Sequence, residues 1–151
     1  MNVYLIKTLS GFVPADKDTE AWAVKIKHGE VINADFKKTR NYQFLKKYFS
    51  LMNVGFDNWE PSIKHDGQEI EKSFDKFREE VTILAGYYYS VHSIYGTVTL
   101  KARSISFANM EEYEFERLYN ATINVILKQV YNSQLSREAL DNIVNQVMSF
   151  T

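Results

Sequence analysis

Apolar residues recur three and four positions apart in several parts of the chain, which is the spacing of a helix that buries one face. This spacing predicts helices over residues 41–58, from Ser73 to about Gly86, over about 111–131 and after Ser136. The stripe that the first of these helices is expected to bury consists of Leu45, Tyr48, Phe49, Met52 and Phe56.

Runs of β-branched and aromatic residues outside these helices predict strands. Four such runs are found, at residues 3–8, 30–36, 87–91 and 97–101. The last two flank Gly96, which predicts a hairpin with its turn at that glycine. A short helix over about 19–27, with Asp16 or Asp18 as its N-cap, is expected between the first two strands.

Together these elements predict an α+β fold, in which a small, mostly antiparallel sheet with a hairpin packs against several helices and a helical C-terminal part follows. A length of 151 residues suits a single domain over residues 1–151. The apolar stripe of the last helix, within residues 135–151, could pack within the chain or form a two-fold dimer contact. A hydrophobic content of 45% exceeds that of disordered chains, so we expect the chain to fold on its own.

Several classes of protein are excluded by what the sequence lacks. Without cysteine, the chain has no disulfide, thiolate nucleophile or cysteine zinc site. It has no glycine loop for phosphates, no serine–histidine–acid order and no dinucleotide-binding motif, so we expect no enzyme and no cofactor. The three histidines, His28, His65 and His92, lack the spacing of metal ligands. No apolar run suits a signal peptide or a membrane span, so a cytoplasmic protein without a membrane partner is expected.

Positive charge is concentrated early in the chain although the net charge is −1. Residues 1–50 contain nine Lys and Arg against five Asp and Glu. Within them, residues 37–48 contain five basic residues, three aromatic ones and no acid. Single-stranded nucleic acid is bound by such mixtures, because cations follow the phosphates while aromatic faces stack on bases.

We name the candidate contact residues of this segment the basic strip: Lys37, Lys38, Arg40, Tyr42, Gln43, Lys46 and Lys47. Tyr42, and with it Phe44, lies off the predicted buried stripe and would supply the stacking face. The alternative interpretation is a solvated helix face whose aromatic residues belong to the core.

A second basic cluster, Lys101 and Arg103, lies at the end of the predicted hairpin. The polar residues after it, Ser104, Ser106 and Asn109, could hold a phosphate at the start of the next helix, or Ser106 or Asn109 could simply cap that helix. Three consecutive tyrosines stand at positions 87–89, and strand alternation puts the middle one on the opposite face, so at least one of them should belong to the core.

A predicted loop between residues 57 and 71 offers a different chemistry. Its possible metal ligands are Asp57, Glu60, His65, Asp66, Glu69 and Glu71. Such a group could hold magnesium for a nuclease reaction. The alternative is an ordinary solvated, charge-rich loop.

Two segments resemble a family of phage and prophage proteins. They are FREEVTILAGYY at residues 77–88 and SISFANMEEYEFERLY at residues 104–119, and RNYQF at residues 40–44 also matches. The resemblance spans roughly residues 3–130. That family has no assigned biochemical activity, so it implies phage origin and no more about chemistry.

A second likeness is to the NinB, or Orf, recombination mediators of lambdoid phages. It lies in two successions of residues: Arg40, Gln43, Lys46 and Tyr48, then Ser104, Ser106, Met110, Phe115 and Leu118. Arg40 stands one residue closer to Gln43 than in that family, and the spacing from Ser106 to Met110 is longer. The likeness implies a dimeric protein that binds single-stranded DNA and assists strand exchange without catalysing it.

From residues and resemblance together, we expect a non-catalytic phage accessory protein in the host cell cytoplasm. It would bind single-stranded DNA through the basic strip, joined by Lys101 and Arg103 if folding brings them together. A homodimer is expected, and phage or host recombination and replication proteins are possible partners. Two alternatives remain open, a metal-dependent nuclease using residues 57–71 and an adaptor that recruits or blocks a host factor through the C-terminal helices.

Overall fold

The computed structural model of the chain describes residues 2–38, 41–61 and 64–149, with the backbone alone at residues 64 and 65. These residues form two units, one within residues 2–37 and a larger one within residues 38–149. The single domain expected from chain length stays a prediction, because two contact units of this size can fold together or separately.

The smaller unit is a hairpin followed by a short helix. Strands β1 (Leu5–Thr8) and β2 (Gly11–Pro14) pair antiparallel, and helix α1 covers Lys17–Ala23. The Asp16 carboxylate caps α1 by accepting a hydrogen bond from the backbone N–H of Thr19 at 2.8 Å. The hydroxyl of Thr19 in turn accepts from the backbone N–H of Tyr4 at 3.0 Å, which ties the helix to the start of the hairpin.

The predictions for this unit were partly wrong. The first strand and the Asp16 cap are confirmed, whereas β2 was not predicted. The strand predicted over residues 30–36 is absent; those residues are exposed and have no regular structure, because no neighbouring strand pairs with them. Helix α1 ends at Ala23, since the next turn closes with hydrogen bonds between residues three apart, from Lys25 to Trp22 and from Ile26 to Ala23.

The larger unit is built from four helices and a hairpin. The helices are α2 (Tyr42–Asn58), α3 (Phe74–Leu84), α4 (Glu112–Gln129) and α5 (Arg137–Ser149). All four were predicted, and the Ser73 cap of α3 is confirmed by its side chain accepting from the Lys76 N–H. No helix among residues 2–38, 41–61 and 64–149 has the length and apolar content needed to cross a membrane.

The strands of this unit form separate antiparallel pairs. In the main hairpin, β5 (Tyr88–His92) pairs with β6 (Val98–Ala102), and β6 packs against α3. A smaller pair, β3 (Lys64–His65) with β4 (Gln68–Glu69), lies in the connection between α2 and α3. With the hairpin at residues 5–14, the described part of the chain has three two-stranded pairings and five α-helices, which confirms the α+β class.

The core lies where α2, α4 and α5 meet. Leu51 and Met52 of α2 are fully buried, and so are Ile123 and Ile126 of α4. At Gly55, α2 comes so close to α4 that an added Cβ would lie 3.1 Å from two carbons of the Ile126 side chain. A side chain at position 55 would therefore push the two helices apart.

The apolar stripe of α5 packs within the chain. Leu140 and Val144 are fully buried, and α5 contacts both α2 and α4. Of the two uses that the sequence allowed for this stripe, the structure has the intramolecular one. The remaining apolar surface of α5 is small, with Ile143 36% exposed.

Replacing Gly55 by valine should therefore lower the free energy of unfolding. Overpacking of a filled core costs about 1–3 kcal/mol, and here the added methyl groups meet the fully buried Ile126. The matched control is Asn53→Val, which places the same side chain on the exposed face of the same helix. Urea unfolding followed by circular dichroism compares them, and equal midpoints for the two variants would contradict the close approach.

Candidate nucleic-acid interface

The N-terminus of α2 is fixed by a side chain that reaches across to another segment. Asn41, the N-cap residue, has a left-handed backbone with φ of 57°, which asparagine adopts more readily than most residues. Its amide donates hydrogen bonds to the carbonyl oxygens of Phe107 and Met110, at 3.2 and 2.8 Å. The segment that follows the β5–β6 hairpin is thereby tied to the start of α2.

The strip residues have different environments. Lys38 and Gln43 are exposed, whereas Tyr42, Lys46 and Lys47 are half-buried. Lys37 is exposed and belongs to the smaller unit, and Arg40 lies outside the described residues. Tyr42, the predicted stacking residue, is therefore only partly accessible.

The predicted separation of core and surface residues on α2 is confirmed for the buried stripe and wrong for Phe44. Tyr48 is 1% exposed, and Leu45 and Phe49 pack against the core. Phe44 was grouped with Tyr42 as lying off this stripe, but its ring stacks on Phe115 of α4 with centroids 4.4 Å apart. Phe44 packs there because α4 covers this side of the helix as well.

Lys47 takes part in a charged network between three helices. Its ammonium lies 3.4 Å from the Asp141 carboxylate of α5 and 4.6 Å from the centre of the Tyr119 ring of α4. The Tyr119 hydroxyl donates a 2.6 Å hydrogen bond to the same carboxylate. The positive charge of Lys47 is thus largely neutralised within the protein, which leaves it less available to a phosphate.

The network also shifts the acid–base properties of its members. Burial by itself raises the pKa of Asp141, but the Tyr119 hydrogen bond and the Lys47 ammonium outweigh it and hold this pKa below its usual value. Burial raises the pKa of Tyr119 far above its usual range, and the bond to Asp141 and its negative charge raise it further. Tyr119 therefore stays protonated and remains a hydrogen-bond donor.

Gln43 and Lys47 also face acidic residues across a cleft. The cleft is the space of about 530 Å³ between α2, α4 and α5. Its polar lining includes Gln43, Lys47, Glu112, Glu116, Arg137 and Asp141. Three carboxylates against two cations make this surface unfavourable for a polyanion. The two strip residues that border the cleft, Gln43 and Lys47, are therefore less favourably placed for a phosphate than the sequence predicts.

The β5–β6 hairpin presents the second basic cluster on one face. Lys101 pairs directly with Tyr89 in the register, so both side chains point to the same side of the hairpin. Arg103 lies two residues further on, and its backbone N–H extends the ladder by one bond to the Tyr87 carbonyl at 3.0 Å. We name Tyr89, Lys101 and Arg103 the hairpin patch.

The three consecutive tyrosines follow alternation in direction but not in burial, because Tyr87 and Tyr89 share a face and only Tyr87 packs against the core. Tyr87 packs against the core, whereas Tyr88 and Tyr89 are 42% and 46% exposed on opposite faces of the hairpin. Tyr88 shares its face with Leu100 and Val98. The expectation that at least one of these tyrosines belongs to the core is confirmed, and Tyr89 is the one that accompanies the two cations.

The guanidinium of Arg103 is held against the hairpin without being neutralised. Its Nε donates to the Tyr88 carbonyl oxygen at 2.9 Å, and it forms no ion pair with any residue that the structure describes. Arginine has five N–H donors, so its terminal nitrogens keep donors for an added ligand. The hydrogen bond thus fixes the position of the Arg103 guanidinium and leaves its charge available to a ligand.

Tyr89 was not among the residues predicted for the interface, although the sequence contains a signal for it. No acidic residue occurs from Gly86 to Met110, a segment with four tyrosines, Lys101 and Arg103. A long acid-free segment with aromatic residues is as typical of a single-strand binding surface as the basic strip itself. Only the pairing register, however, shows which tyrosine lies beside the lysine.

The predicted caps of α4 were wrong. Glu111 begins this helix with a capping box, in which the Glu114 carboxylate accepts from the Glu111 backbone N–H at 2.8 Å. Asn109 instead donates to the Ser106 hydroxyl at 3.0 Å, inside the short 3₁₀-helix Phe107–Asn109. Carboxylates therefore occupy the N-terminus of α4, where a phosphate had been considered.

The acidic side chains of residues 57–71 do not come together into a metal site among the side chains that the structure describes. Asp57, Glu60, Glu69 and Glu71 are exposed, and the side chain of His65 lies outside the description. Among residues whose side chains are described, no group of three or more His, Asp or Glu residues could hold a metal ion. No observation in this region favours metal-dependent cleavage.

Comparison with known protein families identifies the family of this chain. It matches a family described as "Protein of unknown function (DUF1367)" over residues 1–66 and again over residues 63–150. The chain belongs to the DUF1367 family. The predicted membership of a family without an assigned activity is confirmed, and the phage origin and the likeness to NinB or Orf stay predictions. No curated protein and no solved structure matches this DUF1367 chain.

The bridge from Asn41 should matter for the stability of this DUF1367 protein. Asn41→Asp keeps the shape of the side chain but removes both donors and sets a carboxylate against the carbonyl oxygens of Phe107 and Met110. Leaving such acceptors unpaired costs about 1–3 kcal/mol, so the free energy of unfolding should fall by that amount. Denaturant titration measures this free energy. The control is Asn142→Asp, at an exposed position on α5, which should change the free energy of unfolding little.

The Lys47–Asp141–Tyr119 network should make stability depend on pH at the acid end. The pKa of Asp141 is lower in the folded chain than its usual 3.8, so its contribution is present above that value and is lost as the pH falls through the folded pKa. Because the carboxylate is about one-third exposed, we expect Asp141→Asn to cost about 1 kcal/mol or less at pH 7.

The difference between Asp141→Asn and wild type should shrink at pH 3, measured by urea unfolding at both pH values. Asp57→Asn, an exposed position on α2, is the control and should stay within about 0.5 kcal/mol of wild type. A constant difference for Asp141→Asn at the two pH values would show that the charge of this carboxylate contributes nothing.

Proposed function

We propose that this protein is a non-catalytic phage accessory protein that binds single-stranded DNA on the hairpin patch, with Lys38 and the α2 residues of the basic strip as an extension. The observation that supports this most is the pairing of Tyr89, which is 46% exposed, with the exposed Lys101 in a hairpin that contains no acidic residue. Stacking of a base on an aromatic side chain contributes about 1–3 kcal/mol, and the adjacent cation holds the neighbouring phosphate.

The charges around the hairpin patch favour it over the α2 strip as the centre of binding. Lys101 is exposed, and neither it nor Arg103 has a carboxylate partner among residues with described side chains. Lys47, in contrast, is paired with Asp141 and borders a cleft with further carboxylates. A polyanion gains more from unpaired cations, since it need not displace an internal ion pair first.

The path between the two basic surfaces is short. Three residues lie between Arg103 and Phe107, so the four steps from one to the other span at most about 14 Å, and the Phe107 carbonyl is bound by Asn41 at the start of α2. On this proposal a single strand that stacks on Tyr89 continues past Arg103 toward Lys38 and the start of α2. Gln43, Tyr42 and Lys46 would then make secondary contacts along the same helix.

The likeness to the NinB or Orf mediators supports a role in recombination. Its two successions of residues lie in separate parts of the chain, and the hydrogen bonds of Asn41 join the segments that contain them. On this proposal the protein acts in the host cell cytoplasm as a homodimer, delivering single strands to phage or host recombination and replication proteins.

The decisive measurement is the fluorescence anisotropy of a labelled single-stranded oligonucleotide at several salt concentrations. The logarithm of the binding constant should fall linearly with the logarithm of salt concentration, by about 0.7 for each phosphate contacted. Lys101→Ala and Arg103→Ala should each reduce this slope by about that amount. Lys47→Ala should reduce it less, because this lysine is already paired.

The two neighbouring tyrosines supply a matched pair for the stacking step. Tyr89→Ala should weaken binding by roughly 5- to 150-fold, the equivalent of one lost stack. Tyr88→Ala removes an equally exposed ring from the opposite face and should leave affinity within about twofold. Equal losses in the two variants, or binding that does not respond to salt, would overturn the proposal.

A further inference from the structure

The cleft between α2, α4 and α5 has a second binding chemistry, separate from the hairpin patch. Its volume of about 530 Å³ lies in the range of ligand-binding sites and would accept the side chains of a few residues. It is lined by α2, α4 and α5, which all contribute fully buried residues to the core, so its walls are held in place by that packing.

The wall formed by α2 and α4 is aromatic and partly accessible. The rings of Phe44 and Phe115 lie nearly parallel, at an angle of 5° and a centroid distance of 4.4 Å, and Phe115 packs in turn on Tyr119. Phe115 is buried while Phe44 is half-buried. The cleft thus offers an edge of apolar surface to an apolar side chain.

The two cations of the cleft each make a contact within the chain. Lys47 is paired with Asp141, and the Arg137 guanidinium donates a hydrogen bond to the neutral Asn120 side-chain oxygen. An anionic ligand would have to compete with Asp141 for Lys47, whereas the Asn120 bond leaves the charge of Arg137 in place. Lys47 and Arg137 therefore line the cleft at its α5 end.

The carboxylates at the other end are not engaged. Glu112 and Glu116 stand one helical turn apart on α4, both exposed and without an ion-pair partner among the described residues. The N-terminal end of the α4 dipole offsets part of the charge of Glu112, which lies in the first turn. Glu116 lies further along the helix, where the dipole offsets its charge less, and a cation between the two carboxylates would relieve their repulsion.

We infer that this cleft binds a segment of a protein partner that presents a lysine or arginine next to an apolar side chain. The cationic group lies between Glu112 and Glu116, and the apolar side chain packs on Phe44 and Phe115. Charge complementarity selects this occupant, because the cleft combines unpaired carboxylates with an aromatic wall. The same carboxylates repel the phosphates of DNA, so the cleft and the hairpin patch have different ligands.

The test is selection from a library of random peptides of about twelve residues, displayed on the surface of a virus particle, against the immobilised full chain. Selected peptides should be enriched in a basic residue beside an aromatic or aliphatic one. A fluorescently labelled peptide of the most enriched sequence then serves as the probe in anisotropy measurements, and an equivalent peptide with glutamate in place of the basic residue should not bind.

Variants separate this site from the DNA-binding proposal. Glu116→Gln should weaken binding of the selected peptide about fivefold, and the double variant Glu112→Gln with Glu116→Gln about tenfold or more. Glu138→Gln, on the first turn of α5 and outside the lining of the cleft, should leave it unchanged. Tyr89→Ala, which tests DNA binding, should not affect the peptide.

The inference is overturned if selection shows no preference for basic peptides, or if the double glutamine variant binds the selected peptide as wild type does. Circular dichroism and an unfolding midpoint for each variant establish that it is folded, and substitutions at these exposed positions should preserve both. Loss of DNA binding with retained peptide binding, or the reverse, assigns any failure to one site alone.

Discussion

The close packing of α2 between α4 and α5 is the constraint on which the rest of the structure depends. Gly55 allows α2 to approach Ile126 of α4, and the fully buried Leu51 and Met52 fill the space on that side. Once this contact is made, the rotation of α2 about its axis is fixed. That rotation determines which of its lysines point to solvent and which face another helix.

The electrostatic character of the surface follows from the same packing. Because α5 lies against α2, Asp141 meets Lys47 and removes one cation from the basic strip. Because α4 lies on the other side, Glu112 and Glu116 face the same cleft and give it a negative edge. The cations of the hairpin patch lie outside this arrangement and have no carboxylate partner among the described residues, which is why our proposal centres phosphate binding there.

The elements that sequence could predict are those with a strong local signal. The four long helices follow from apolar residues at helical spacing, and the hairpin at residues 88–102 follows from two β-branched runs around a glycine. The predicted strand at residues 30–36 was wrong because a strand requires a hydrogen-bonding neighbour, which local composition does not reveal. The capping of α4 was wrong because two glutamates satisfy the helix start in place of the polar residues before it.

The sequence by itself determined the α+β class, the positions of the helices, the family and the two acid-free basic segments, since all of these are local patterns along the chain. Only the tertiary structure decided which basic residues are free to bind. It paired Lys47 with Asp141, moved Phe44 into contact with Phe115 and set Tyr89 beside Lys101. The physical reason is that the availability of a charge or an aromatic face depends on residues distant in sequence, which meet only when the helices pack and the strands choose their register.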